Sequence, residues 1–262
     1  MAFWVDCPSF RLPLYKSFWK FIDFIFPPHC AGCDLLGDRF CTSCSDRVRI
    51  IDKNLCQKCG EPIINNSLHD SMICDQQLRD LIMIRAYALY EPPISYAIQK
   101  LKYDRDMGIA EVLANFLVEL YNNNKMEIDM VIPVPLSPRR LKERGYNQAD
   151  LLARPFSMII NKPLIKQSLR RSRDTRSQVG LDRQERSSNV AEAFVANPNL
   201  VQGKNIVLID DVSTTGATLE ACAAALKSVG ANDIVGLSLA RAVQTHRGFS
   251  DHLKDAETAQ KT

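Results

Sequence analysis

The residues Asp210-Asp211-Val212-Ser213-Thr214-Thr215-Gly216-Ala217-Thr218 directly follow the apolar run Ile206-Val207-Leu208-Ile209. Two adjacent carboxylates and then hydroxyl side chains around a glycine are types that bind rather than pack. At the carboxyl edge of a parallel sheet, a strand feeding a helix through a small-residue turn offers backbone N–H groups and the positive end of the helix dipole to an anion. Thr214, Thr215 and Thr218 add hydroxyl donors, and Gly216 lets the backbone approach a phosphate closely. Asp210 and Asp211 would repel that phosphate, so they must serve another part of the same ligand. The vicinal hydroxyls of a ribose suit them, with the sugar's 5′-phosphate in the loop. Two negative charges beside the sugar would also favour an oxocarbenium-like transition state as a group leaves C1′. The chemistry implied is phosphoribosyl binding or transfer; the plain alternative is an ordinary capped strand-to-helix turn.

Cysteine forms the second constellation. Six of the nine cysteines make three C-x-x-C pairs between Cys30 and Cys59. With no secretory signal at the amino end, such pairs read as metal ligands rather than a disulfide framework, which points to the cytoplasm. Cys30-x-x-Cys33, a gap of seven residues and Cys41-x-x-Cys44 supply four thiolates for one tetrahedral zinc. A closed four-cysteine site leaves no position for catalytic water, so its role is structural. Residues 29–75 lack apolar periodicity, and the metal is expected to replace a hydrophobic core there.

The elements that must position these groups are legible further along. At 262 residues, with 46% hydrophobic and 24% charged residues, the chain can bury a proper core. The spacing predicts a strand over 85–90, helices over 94–102 and 109–121, a strand over 129–134 and a helix over 147–160. A strand over 205–209, a helix over about 218–229, a stop at Gly230 and an apolar strand over 234–239 form a βαβ unit of a parallel sheet. The fold class is therefore α/β. Cys222 in the helix of that unit reads as a small core residue.

The net charge of +3 implies no polyanion partner by itself, but residues 139–186 hold 13 Lys/Arg against 5 Asp/Glu. A local basic surface follows. Ahead of the cysteines, Phe18, Trp19, Phe21, Ile22, Phe24, Ile25 and Phe26 lie between Pro13 and Pro27-Pro28, an interval too short to cross a bilayer. It is either a helix docked on its own protein or a membrane-surface or partner contact. Four segments result: an aromatic amphipathic segment 1–28, a zinc-binding module 29–78, a main domain 79–248 and a disordered tail 249–262.

The run of four apolar residues, two acids and Thr-Thr-Gly-x-Thr resembles the phosphoribosyl pyrophosphate (PRPP) signature of type I phosphoribosyltransferases. Two further blocks are more discriminating. Val131-Ile132-Pro133-Val134-Pro135-Leu136 with Arg139-Arg140 and Arg144-Gly145-Tyr146-Asn147-Gln148 closely resembles a block of the ComF/GntX family, and so does Arg170-Arg171 with Arg173, Thr175, Gln178, Leu181, Arg186 and Asn189-Val190. With the C-x-x-C pairs and Leu101-Lys102-Tyr103, the resemblance covers roughly residues 24–243. It implies a type I phosphoribosyltransferase-like parallel sheet flanked by helices, with a small amino-terminal zinc ribbon module. It also implies PRPP with magnesium as ligand. The residues from Asp210 to Thr218 would bind it, Asp210 and Asp211 stabilising the ribose and its oxocarbenium form. The loop carrying Arg139, Arg140 and Arg144 would hold pyrophosphate, and 170–189, with Arg170, Arg171 and Arg173, would be a mobile hood. Cys56, Cys59 and Cys74 look like a second zinc site, but Gln77 stands where the family pattern has a fourth cysteine, which leaves His69 as the candidate to complete the set.

For function, the resemblance implies a role in natural transformation, handling incoming single-stranded DNA at the cytoplasmic face of the inner membrane alongside other competence proteins. The basic stretch suits phosphate backbones, and Tyr146 and Phe156 are candidates for base stacking, each with a core role as the alternative. An active transferase with a base or amine acceptor and a PRPP-sensing regulator stay open beside it.

Overall fold

The computed structural model describes residues 12–52, 54–63, 71–172 and 193–242. His69, Arg173, most of the expected hood and the tail 249–262 lie outside the described residues. In chain order the elements are α1 (Leu12–Ile25), α2 (Thr42–Asp46), α3 (Ser71–Gln77), β1 (Met83–Leu89), α4 (Ile94–Tyr103), α5 (Ile109–Asn123), β2 (Met130–Pro133), α6 (Pro138–Arg144), α7 (Gln148–Ile159), β3 (Leu169–Arg171), β4 (Phe194–Ala196), α8 (Pro198–Val201), β5 (Ile206–Ser213), α9 (Ala217–Lys227) and β6 (Ile234–Arg241).

Four strands form an all-parallel sheet in the order β1-β6-β5-β2, and β3 pairs antiparallel with β4. Helices cover both faces of the sheet, so its strands are apolar on both sides rather than alternating. Val207 and Ile209 of β5 join Leu237 of β6 in a core with α4, α5 and α7, where Leu101, Leu113, Leu117, Leu152 and Phe156 are fully buried. Ile206 and Leu208 point the other way, into a core with Leu219, Cys222 and Leu226 of α9 and with Phe194 of the small hairpin. Each large aliphatic side chain buried in this way contributes about 1.5–3 kcal/mol relative to exposure. The expected βαβ unit is present as β5-α9-β6, and Cys222 is a core residue.

Three expectations need correction. The strand that carries the acids does not stop at Ile209 but runs to Ser213, so Asp210, Asp211, Val212 and Ser213 are strand residues. The continued pairing with β6, as far as Ser213 opposite Arg241, holds them extended. The segment 138–144, expected as loop, is helix α6: Ser137 caps it by accepting the Arg140 N–H at 3.4 Å, Pro138 fits its first turn, and Gly145 ends it at φ +82°. The cysteine-rich region also does not rely on metal alone. Cys30, Ala31, Phe40, Cys44 and Val48 are part of the main core, and Cys56 and Cys59 part of the other.

The helix α1 combines both readings of the aromatic segment. Leu12, Tyr15, Trp19 and Ile22, spaced for one helix face, are partly covered, while Leu14, Phe18, Phe21, Phe24 and Ile25 are exposed. Arg39 fastens it: its guanidinium lies 4.9 Å from the Trp19 ring centre, is ion-paired with Asp23 of α1, and reaches Asp106 at 2.9 Å. Among the described residues no helix is long and apolar enough to cross a membrane.

Candidate functional site

The two carboxylates of β5 leave the sheet on opposite faces, as strand geometry requires of neighbours. Asp210 lies on the α9 side, close enough for its charge to act on Cys222. Burial, and then the adjoining Asp211 carboxylate, push the Asp210 carboxyl well above the usual carboxylate range. Its Oδ1 accepts the backbone N–H of Asp211 at 2.9 Å. Asp211 lies on the α7 side, where Gln148 Nε2 donates to its Oδ1 at 3.3 Å and Lys102 Nζ forms an ion pair with its Oδ2. The two carboxyl groups nonetheless stay close enough to hydrogen-bond with each other.

Beyond Ser213 the chain turns through Thr214 and Thr215, both exposed, to Gly216 at the start of α9. Gly216 has φ +82°, and a Cβ there would lie 2.3 Å from Ile84 Cδ1, so both conformation and space demand glycine. Ala217 and Thr218 open the first turn of α9 and are partly exposed. Val212 packs against the α5/α7 core, and Ser213 is buried with its hydroxyl 2.9 Å from that of Ser238. Their side chains are thus engaged within the fold, and the loop proper is Thr214 to Thr218.

Beside Asp211 opens a cleft of about 670 Å³ lined by Lys102, Tyr103, Arg105, Arg140, Glu143, Arg144 and Tyr146. Four cations and one carboxylate make it an anion site in chemistry. Its wall is partly preset: the Arg144 guanidinium lies 5.1 Å from the Tyr103 ring centre and donates to Gln148 Oε1 at 2.9 Å, and Tyr146 donates to the Leu101 carbonyl at 2.6 Å. Gln148 in turn holds Asp211, so the chain Arg144–Gln148–Asp211–Lys102 joins the cleft to the acidic strand end.

Among the described residues the expected arginines do not all converge. Arg140 and Arg144 line the cleft, whereas Arg139 faces solvent and donates to Glu143 one helical turn on, at 2.8 Å. That difference follows from the helix: with 3.6 residues per turn, positions 140 and 144 share a face and 139 is rotated from it. Arg170 is exposed on β3, and Arg171 stacks over Phe194 at 5.4 Å on the α9 side of the sheet. Of the two aromatic candidates, Phe156 is fully buried against Tyr121 and stacks on no ligand, and Tyr146 is tethered by its hydroxyl. Sequence reasoning noticed Lys102 and Tyr103 only as part of a block and passed over Arg105. The Lys and Arg alternating with Tyr at the end of α4 were the available signal.

The cysteines gather as two clusters. The Sγ atoms of Cys30, Cys33, Cys41 and Cys44 lie within 4.8 Å of one another, and so do those of Cys56, Cys59 and Cys74. Cys33 and Cys41 are 3.7 Å apart; a tetrahedron with Zn–S of about 2.3 Å sets its sulfurs about 3.8 Å apart. At Cys30 burial opposes charge, but the backbone N–H groups of Cys41, Gly32 and Cys33 outweigh it and bring the thiol down to about 6, whereas burial and the neighbouring thiols push Cys44 up to about 12. Arg47 donates to Cys44 Sγ at 3.1 Å. The first cluster therefore fits zinc with four protein ligands, and the second supplies three thiols.

Residues 21–78 match the double zinc ribbon domain family and residues 103–252 the phosphoribosyl transferase domain family. The chain is 35% identical over 196 residues to DNA utilization protein YhgH of Escherichia coli O157:H7, covering 73% of this chain and 85% of that protein. It is 30% identical over 223 residues to competence protein F of Haemophilus influenzae, covering 82% and 96%. Against competence protein ComFC of Bacillus subtilis it is 28% identical over 202 residues, covering 74% and 80%. Among solved structures, the glutamine PRPP amidotransferase of B. subtilis is similar at 21% identity and a TM-score of 0.36, over 49% of this chain and only 26% of that one, a likeness too slight to build on. With both domain matches and these relatives, the chain belongs to the competence protein F family, phosphoribosyltransferase-like proteins with an amino-terminal double zinc ribbon.

Proposed function

We propose that the protein handles incoming single-stranded DNA during natural transformation, on a domain whose Thr214–Thr218 loop binds PRPP. The observation that carries this reading is the junction at Lys102, which belongs at once to the basic cleft and to the acidic end of β5. Arg105, Arg140 and Arg144 offer charge to phosphates of a strand, and exposed Tyr103 offers a ring face to a base. The relatives' printed names, DNA utilization and competence, support the same direction. Zinc at Cys30, Cys33, Cys41 and Cys44 secures the ribbon against the core, with a second ion at Cys56, Cys59 and Cys74 completed by His69. The exposed face of α1, flanked by Lys16 and Lys20, suits contact with an anionic membrane surface, which would put the protein at the inner face of the membrane through which the strand arrives.

The test is transformation frequency in the source organism carrying Asp210→Asn and Asp211→Asn, with protein abundance and DNA uptake measured alongside. Loss of transformants at normal abundance and uptake supports the reading. An unchanged frequency, in a strain where deleting the gene abolishes transformation, would remove the sugar-phosphate site from the function. In vitro, affinity for a single-stranded oligonucleotide should fall with salt, and the slope of log K against log[salt] should shrink by about 0.7 for each phosphate-contacting arginine removed.

A further inference from the structure

The ligand chemistry of the loop and that of the cleft meet in one molecule. PRPP presents a pentose 5-phosphate with an anionic substituent beyond the sugar. A 5′-phosphorylated strand end presents the same pentose 5-phosphate, with a phosphodiester leaving from the 3′ position and a base at C1′. Resting on the reading above, we propose that the protein binds single-stranded DNA by its 5′-phosphorylated end, the terminal pentose 5-phosphate in the Thr214–Thr218 loop and the strand leaving through the basic cleft past Tyr103.

The cleft carries this inference. At about 670 Å³ it is of a size to enclose a nucleotide rather than a phosphate alone. It is not a separate patch: Lys102 is both one of its walls and the partner of Asp211. Asp211 stands three residues before Thr214, and an extended chain of that length spans at most about 10 Å. A span of that order leaves room for one sugar between the loop and the Lys102 wall of the cleft. Tyr103 is 67% exposed, yet its ring is held by the Arg144 guanidinium, so it presents a face already oriented for a base.

Two carboxylates beside a phosphodiester would ordinarily exclude a strand. Here the charge of Asp211 is met by the Lys102 ammonium and the Gln148 amide. Asp210 shares a hydrogen bond with the Asp211 side chain, and burial together with that neighbouring carboxylate favours its neutral acid. The acidic pair therefore presents less negative charge toward the cleft than its composition suggests, and a 3′-phosphodiester can pass.

The experiment compares oligothymidylates of one length, internally labelled for fluorescence anisotropy and bearing a 5′-phosphate or a 5′-hydroxyl, on the full chain with its zinc. The wild type should bind the 5′-phosphorylated strand at least about tenfold more tightly. Circular single strands should compete no better than the 5′-hydroxyl form, and PRPP should remove the difference between the two linear strands. Thr214→Val with Thr215→Val, isosteric changes at exposed positions, should abolish the preference by weakening the 5′-phosphorylated strand. Equal affinity for both ends, with binding still dependent on salt, overturns end recognition and leaves strand binding by the cleft standing. A preference that survives the double substitution also overturns it, because the phosphate then sits elsewhere. Absence of salt-dependent binding to any of these strands defeats the underlying DNA reading as well.

Discussion

The ammonium of Lys102 closes on the carboxylate of Asp211, with side-chain exposures of 17% and 5%. An ion pair so nearly withdrawn from water owes its stability to both partners being present, since removing one leaves an uncompensated buried charge. Lys102→Ala should therefore destabilise the fold by about 3 kcal/mol. Adding Asp211→Asn should restore most of that, because the isolated charge is gone. Urea unfolding of the two single variants and the double variant measures the coupling. Strict additivity would mean that the pair is solvated in solution and does not close the acidic strand end.

Asp210 should subtract from stability at neutral pH. Its carboxyl is raised well above the ordinary range by burial and by Asp211. The folded state thus holds this proton more tightly than the unfolded chain does. As pH rises through the unfolded value of about 3.9 and on to the raised folded one, the group subtracts stability, and the loss is complete above the folded value. Asp210→Asn should accordingly raise the Tm at neutral pH, with the gain fading as the pH falls through the raised folded value and gone below about 3.9. A Tm difference independent of pH would contradict the assigned environment. The same substitution is expected to abolish function in transformation, so stability and activity should move in opposite directions.

Metal loss should be felt at α1. The Ala31 N–H donates to the Arg39 carbonyl at 2.8 Å, and Arg39 holds Trp19, Asp23 and Asp106. Stripping zinc with a chelator should loosen the loop between the two C-x-x-C pairs, release the guanidinium from the indole and shift Trp19 emission to the red, followed in a Trp4→Phe background. Cys33→Ser, at the exposed corner of the first cluster, should lower bound zinc and reproduce the shift. Zinc leaving with no change in emission would show that the arginine bridge stands without the metal.

These couplings explain what the sequence could and could not disclose. The parallel sheet was readable because strands covered on both faces carry unbroken apolar runs such as Ile206–Ile209, and the first cysteine group was readable from spacing, whereas Cys74 was joined to Cys56 and Cys59 only by the family resemblance. The extent of β5 was hidden: the apolar run stops at Ile209, yet pairing with β6 carries the strand through Asp210 and Asp211 to Ser213. Arg139 was grouped with Arg140 and Arg144 by adjacency in sequence, until helix α6 set its phase. Lys102 lies 109 positions from Asp211, and no local pattern could announce that contact.

Gly216 offers a test of how tightly the loop is tied to the sheet. At φ +82° an alanine is strained, and its Cβ would stand 2.3 Å from Ile84 Cδ1, on the edge strand β1. Gly216→Ala should cost about 1–3 kcal/mol and displace the turn that begins α9, weakening the PRPP binding proposed for that loop along with stability. Ile84→Val removes the Cδ1 methyl and alone should cost about 0.5–1.5 kcal/mol. If sterics dominate, the double variant should be more stable than Gly216→Ala alone, because the second substitution vacates the space that the new methyl needs. If backbone strain dominates, the two losses should add. The first result would identify Ile84, a core residue of β1, as what holds the phosphate loop in register. The second would place the constraint in the glycine's own conformation.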